Sequence, residues 1–249
     1  MNRTGRTARA LSLLFFLVFG PSNSPGIMGQ METREGQGSD SLSAWAELRL
    51  QELESLAPTE TDGIEDSLER IRAMYLLSVD EGDWVDEVKD SLSALELRIP
   101  QGSEDGFTLD AYRGALEVVR AKHSRWPPNK LKHLGNGAAV LDNLVARNPG
   151  NLEVRYLRLA SYLFLPFFLR RDDSVAADLG ILVDELPYQA SAFSPFTYRA
   201  MVRFVLDNGA LEGEERTQLE GILEAEEGNQ PEKRTRFEKS PGDESLRDG

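Results

Sequence analysis

The chain of 249 residues is 40% hydrophobic and 28% charged, with a formal net charge of −14, a composition that suits one large or two small globular domains. It contains no cysteine, which excludes disulfides, thiolate metal sites and cysteine nucleophiles. The charge is unevenly placed: residues 113–171 hold eleven Lys/Arg against three Asp/Glu, whereas residues 31–112 carry a net −15 and residues 172–249 a net −10. A basic middle between acidic flanks predicts either an anion-facing surface or an internal electrostatic clamp.

At the N-terminus Arg3, Arg6 and Arg9 precede an apolar run from Ala10 to Phe19, and Gly20 to Gly26 follow with small residues and prolines. A positive segment, a short apolar core and small residues are the layout of a secretory signal, expected over residues 1–26. The apolar run is about half the length needed to cross a bilayer. Removal near Met31 leaves a net charge of −17. Residues 27–40, rich in Gly, Ser and Gln, read as a flexible leader.

From Leu42 onward the apolar residues recur at helical spacing. Ile64, Leu68, Ile71, Tyr75 and Val79 fall on one helix face, with Thr61 or Asp62 placed to cap it. Trp84, Val88, Leu92, Leu95 and Ile99 repeat the pattern until Pro100 to Gly102 stop it. Leu109, Tyr112, Leu116 and Val119 make the next stripe, and Leu131, Leu134, Ala138, Leu141 and Val145 the one after. Asn148 to Asn151 break the chain before a helix over 152–165. Val175, Leu179, Leu182 and Leu186 follow, ended by Pro187, with Asp172 and Asp173 as caps. Ser194 can cap the next helix, Pro195 suits its first position, and Phe193 and Tyr198 occupy the two positions of a hydrophobic staple. Asn208 and Gly209 end it. A last helix is expected over 212–226, and the charged stretch 228–249 reads as disordered. No segment alternates with period two long enough for a strand. The expectation is an all-α fold in a single domain over 41–227, with about eight or nine helices stacked as antiparallel pairs.

Two resemblances add to this. Gly137, Leu141 and Leu144 before Pro149, then Tyr156, Leu159, Ala160 and Leu163 after it, resemble a tetratricopeptide repeat over about 137–163, with one residue inserted and no aromatic at position 141. That resemblance implies a right-handed array of helix pairs. Asp110 to Ala115, Lys130 to Lys132, and Asn148 to Leu159 with Pro166 and Leu169 resemble a family of exported bacterial helical proteins of no assigned activity, over about 107–190. This second resemblance implies a bacterial envelope protein, periplasmic or extracellular, and no particular chemistry.

The residues that could carry a function lie in the basic middle. Lys122, His123, Arg125, Lys130, Lys132 and His133 surround Trp126 in a loop between two helices, where cations beside an aromatic ring can bind phosphate, carboxylate or an acidic polymer. The same residues also suit an ordinary basic loop. Arg155 and Arg158, three apart beside an apolar stripe, suit either helix–helix ion pairing, with Glu117 or Asp142 as partners, or a ligand. His123 and His133 stand ten residues apart, whereas a metal pair on one helix wants about three or four. No nucleophile motif or phosphate loop occurs, so neither catalytic residues nor a metal or other cofactor are predicted. Phe167 and Phe168, followed by Arg170 and Arg171, form an apolar knuckle that could touch an anionic membrane, or equally a buried helix end. The export signal and acidic charge argue against nucleic acid. The sequence therefore points to a non-enzymatic interaction module with a protein partner in the cell envelope. The alternative is a binding protein or hydrolase for a small anion, and the two differ in whether these cations converge in one concavity.

Overall fold

The computed structural model describes residues 42–55, 63–100, 102–163, 165, 169, 171–209, 211 and 213–228. Nine α-helices occur among them: α1 (Leu42–Ser55), α2 (Ile64–Asp80), α3 (Trp84–Glu96), α4 (Glu104–His123), α5 (Pro127–Arg147), α6 (Leu152–Leu163), α7 (Asp172–Glu185), α8 (Pro195–Asn208) and α9 (Gly213–Gly228). Two short 3-10 turns, Leu186–Tyr188 and Ala190–Ala192, connect α7 to α8. The fold is all-α, as the spacing predicted. The expected signal and leader, Phe167 and Phe168 of the knuckle, and the tail beyond Gly228 lie outside the described residues.

Local chemistry sets most of the boundaries. Ser194 Oγ accepts the Thr197 amide at 3.1 Å, with Pro195 in the first turn of α8, so one of the helix's orphan donors is satisfied by the predicted residue. Ser103 Oγ accepts from the Gly106 amide and Asn151 Oδ1 from the Val154 amide, starting α4 and α6 in the same way. The start of α2 differs from expectation: its N-cap is Gly63, which offers no side-chain bond. Asp172 and Asp173 lie in the first turn of α7 rather than capping it, because Arg171 holds the cap position; there they face the positive end of the helix dipole. The predicted helix over 152–165 ends earlier, at Leu163, while α9 runs slightly beyond its expected end.

Each helix packs on its chain neighbour, and α2, α4, α6 and α8 also pack on one another in turn. The even-numbered helices thus form one layer, flanked by α3, α5 and α7. Helix α6 lies at its middle, with ten of its twelve residues buried. A helix buried nearly all round leaves its charged side chains no water, so Glu153, Arg155 and Arg158 must find partners inside the protein. The α4–α5 pair is drawn tight at two glycines: a Cβ at Gly137 would stand 2.5 Å from the Gly114 carbonyl oxygen and 2.8 Å from Val118 Cγ2. No helix among the described residues is long and apolar enough to cross a membrane.

Candidate functional site

The basic middle divides into side chains that bond to other elements of the protein and side chains of the exposed α4–α5 turn. The last turn of α4 belongs to the first group. Lys122 Nζ donates to the Val79 carbonyl at 2.6 Å and sits 3.2 Å from Asp80 Oδ1. His123 Nε2 donates to the Ser78 carbonyl at 2.9 Å. Both therefore act on the C-terminus of α2, where carbonyls lack helical partners and the dipole favours positive charge. The loop after α2 closes against the same imidazole, since a Cβ at Gly82 would lie 3.1 Å from the His123 ring.

His133 of α5 has a different partner. Its Nδ1 lies 2.7 Å from Glu117 Oε2, while Arg120 Nη1 donates to Glu117 Oε1 at 2.9 Å. Burial works to raise the Glu117 pKa, but hydrogen bonds from His133 and Arg120 outweigh it and hold the carboxyl below its ordinary value. The two histidines thus serve separate carbonyl and carboxylate acceptors, and among the described residues no group of three His, Asp or Glu is arranged to hold a metal.

Arg155 and Arg158 converge on Asp178 of α7, which is fully buried. Arg155 Nη1 reaches Asp178 Oδ1 at 2.7 Å, and Arg158 grips both oxygens through Nε at 2.7 Å and Nη2 at 2.8 Å. Arg155 Nε also donates to the Pro149 carbonyl at 2.6 Å, fastening the Asn-Pro-Gly turn to α6. Of the two acidic partners expected from sequence, Asp142 contacts Arg158 at 3.3 Å and also binds Arg171. Glu117 does not take part, since His133 and Arg120 occupy it. The principal partner comes instead from the next helix, where Asp178 sits beside the stripe residue Leu179 and nothing local marks it.

A second buried cluster was not predicted at all. Arg72 of α2 donates through Nε and Nη2 to the two oxygens of Glu153, at 2.8 and 3.0 Å, and through Nη1 to Glu65 and Glu69. Tyr112 of α4 donates to Glu153 Oε1 at 2.8 Å, and Tyr75 stands edge-on to Tyr112 with ring centres 5.2 Å apart. Burial pulls the Arg72 pKa down, yet the Glu153 carboxylate outweighs it and holds the guanidinium above its ordinary value. Burial, reinforced by Glu153, pushes the Tyr112 phenol well above its usual range. Glu69 extends the cluster to α8, accepting from Ser194 Oγ at 2.7 Å and Thr197 Oγ1 at 3.2 Å. The sequence held one trace of this, for Arg72 falls at the edge of the apolar arc that Leu68, Ile71 and Tyr75 define.

What stays on the surface is the α4–α5 turn. Trp126 is 64% exposed at the N-cap of α5, Leu131 is 41% exposed, and Arg125 and Lys132 are exposed beside them. Lys130, half-buried, stands in the first turn of the same helix. The nine candidate residues therefore do not gather in one concavity. A groove of about 500 Å³ does lie between α4 and α5, lined by Asp110 and Arg113 on one side and Ala139, Val140, Asn143 and Arg147 on the other, and none of the nine lines it. Comparison with family models finds no match, and comparisons with curated proteins and with solved structures find none either. Fold and site together define an all-α protein whose basic middle is tied to its acidic flanks through Arg113, Lys122, Arg155 and Arg158.

Proposed function

We propose that this chain is a non-enzymatic, exported helical protein of the bacterial envelope, built of stacked helix pairs and working by docking a protein partner on its α4–α5 turn. The observation that carries the reading is the contrast within the basic middle. Arg113, Arg120, Lys122, Arg155, Arg158 and Arg171 are each ion-paired to a carboxylate of the same chain. Arg125 and Lys132 are exposed, with no carboxylate paired to them among the described residues, and they flank a tryptophan that is mostly in solvent. An exposed indole among cations is the composition of an interaction anchor rather than of a folding core. The alternative, a binding site or hydrolase for a small anion, loses its support because the arginines and histidines it needs are dispersed and already engaged. Export and envelope location rest on the N-terminal layout and on the resemblance over about 107–190.

The test is in-cell cross-linking of the affinity-tagged full chain beside two variants, Arg125→Glu/Lys132→Glu and Trp126→Ala. Lys122 is left alone, since it holds α2. The expected result is one acidic protein species captured by the parent and lost from both variants at unchanged Tm. Equal capture by all three would place the interface elsewhere. Capture of nothing by the parent, with retention on an anionic small-molecule resin, would return the alternative.

A further inference from the structure

The outward face of α5 differs in charge from the acidic outward faces of α3 and α9. Lys132, Asn136, Ala139, Asn143 and Arg147, spaced 4, 3, 4 and 4, form one continuous exposed stripe, which at 1.5 Å per residue is about 22 Å long. The stripe holds no carboxylate. The one acidic residue of α5, Asp142, is turned away to Arg158 and Arg171. By contrast α3 exposes Asp86, Glu87 and Asp90, and α9 exposes Glu214, Glu215, Glu220 and Glu224. In a chain of net charge −14, a helix-long surface of small and neutral residues with cations at both ends is a local inversion of the field. The Arg147 guanidinium at the far end is held over the Phe107 ring, 4.8 Å from its centre, and no carboxylate pairs with it among the described residues. Val140, 38% exposed, borders the stripe and lines the α4–α5 groove beside it, where the one lining carboxylate, Asp110, lies 3.6 Å from Arg113.

We infer that this face of α5 and the adjoining groove seat an acidic amphipathic helix from a polypeptide partner, lying along α5 between Lys132 and Arg147. The inference deepens the reading above and rests on it. Charge complementarity selects the partner: its carboxylates must stand about 15 residues apart, to reach a cation at each end of a stripe of that length. Between them it needs small and apolar side chains, to lie on Ala139 and Val140. The occupant is helical because an extended segment would need a sheet edge to pair its backbone, and the described residues contain no strand, whereas a helix satisfies its own amides and requires only side-chain contacts. The low profile of Ala139 and Asn143 permits close approach, as Gly137 does on the opposite side of the same helix.

The experiment measures binding of the full chain to three probes by fluorescence anisotropy and flotation. These are a labelled peptide of about 20 residues, with glutamates at both ends and an Ala/Leu stripe between, poly-L-glutamate, and phosphatidylglycerol vesicles. The parent is expected to bind the peptide, which should gain helical circular dichroism on binding. Ala139→Glu, which places a like charge at mid-stripe, should weaken binding by about tenfold or more, and Asn143→Asp by less, both at unchanged Tm. Peptide binding unaffected by Ala139→Glu overturns the inference, as does no peptide binding at all. Poly-L-glutamate binding as tightly as the peptide makes charge alone sufficient and also overturns it, and vesicle binding in place of peptide binding assigns the face to a membrane. Failure here is separable from failure of the broader reading. If in-cell capture still depends on Arg125 and Lys132 while Ala139→Glu changes nothing, only the inference falls. If neither set of substitutions alters any binding, both fall.

Discussion

Arg72 shows how much a single residue can carry in this fold. It is 7% exposed and contacts three carboxylates, of which Glu69 and Glu153 are themselves buried. Taking charges out of water is costly, and the cost is offset only while the set is complete. Arg72→Met is therefore expected to lose about 3–5 kcal/mol of stability, read from urea unfolding, because it takes the paired cation from the buried Glu153. Glu153→Gln leaves Arg72 two other carboxylates and should cost less, about 1–3 kcal/mol. In a double-mutant cycle, Arg72→Met with Glu153→Leu should cost less than the two single changes together, since the pair then leaves as a unit. A second residue, Glu117, sets part of the acid limb of stability. Its folded pKa lies below the ordinary carboxyl value, so the folded state binds fewer protons than the unfolded state near that value. The contribution is present above the unfolded pKa of about 4.3 and is lost as pH falls through the lower, folded one. Glu117→Gln should consequently reduce stability at neutral pH and flatten the loss below about pH 4, as measured by thermal melts across pH 3–7. An unchanged acid limb would show that other carboxylates dominate it.

At the scale of elements, α4 and α5 make the tightest pair, and Gly137 is the reason. Its Cβ would collide with the backbone of Gly114, and backbone cannot rotate away as a side chain can. Gly137→Ala should force the two helices apart and cost about 1–3 kcal/mol. Gly135, two residues earlier on the same helix, has open space where a Cβ would go. Gly135→Ala should instead raise stability by about 0.5–1 kcal/mol through helix propensity. Opposite signs from one substitution type on one helix, read as Tm shifts, would separate packing from propensity. The same pair marks how far sequence reading reaches. Helices declare themselves by the period of their apolar residues and by caps such as Ser194 with Pro195, because those signals act within one or two turns. Gly137 was legible as the small residue ahead of the Asn-Pro-Gly turn, but Gly114, its opposite number, was not. The ion pairs were half legible: the charge excess allowed a clamp beside an anion-facing surface, and Arg155 and Arg158 stood out beside their stripe. Their partner Asp178, and the Arg72–Glu153 bond across 81 positions, depend on which helices the tertiary fold brings together, and periodicity carries no information about that.

Across the whole molecule the question is whether a row of helices behaves as a row. Arrays in which each pair touches only its neighbours can fray from an end, because no contact links distant elements. Here α2 and α8 are joined through Glu69, which accepts from Ser194 and Thr197 more than a hundred positions along the chain. Helix α1 enters the same junction: Arg49 lies 3.5 Å from Glu69, and Trp45 lies under the Arg199 guanidinium of α8 at 4.1 Å. Glu69 therefore ties the first helices to the eighth, and unfolding of α1 or α8 alone would expose a carboxylate and two hydroxyls that currently satisfy one another. The chain's tryptophans allow a direct measurement, since Trp45 reports the α1–α8 junction and Trp84 the start of α3. In versions retaining one or the other, with the remaining tryptophans changed to Phe, urea transitions followed by fluorescence should coincide. Introducing Glu69→Ala should move the Trp45 transition to lower urea than the Trp84 transition, because the ends then lose their link while α2 and α3 keep their shared apolar face. Coincident transitions in the Glu69→Ala background would mean that cooperativity runs through the apolar layer of α2, α4, α6 and α8, with the polar junction only following it.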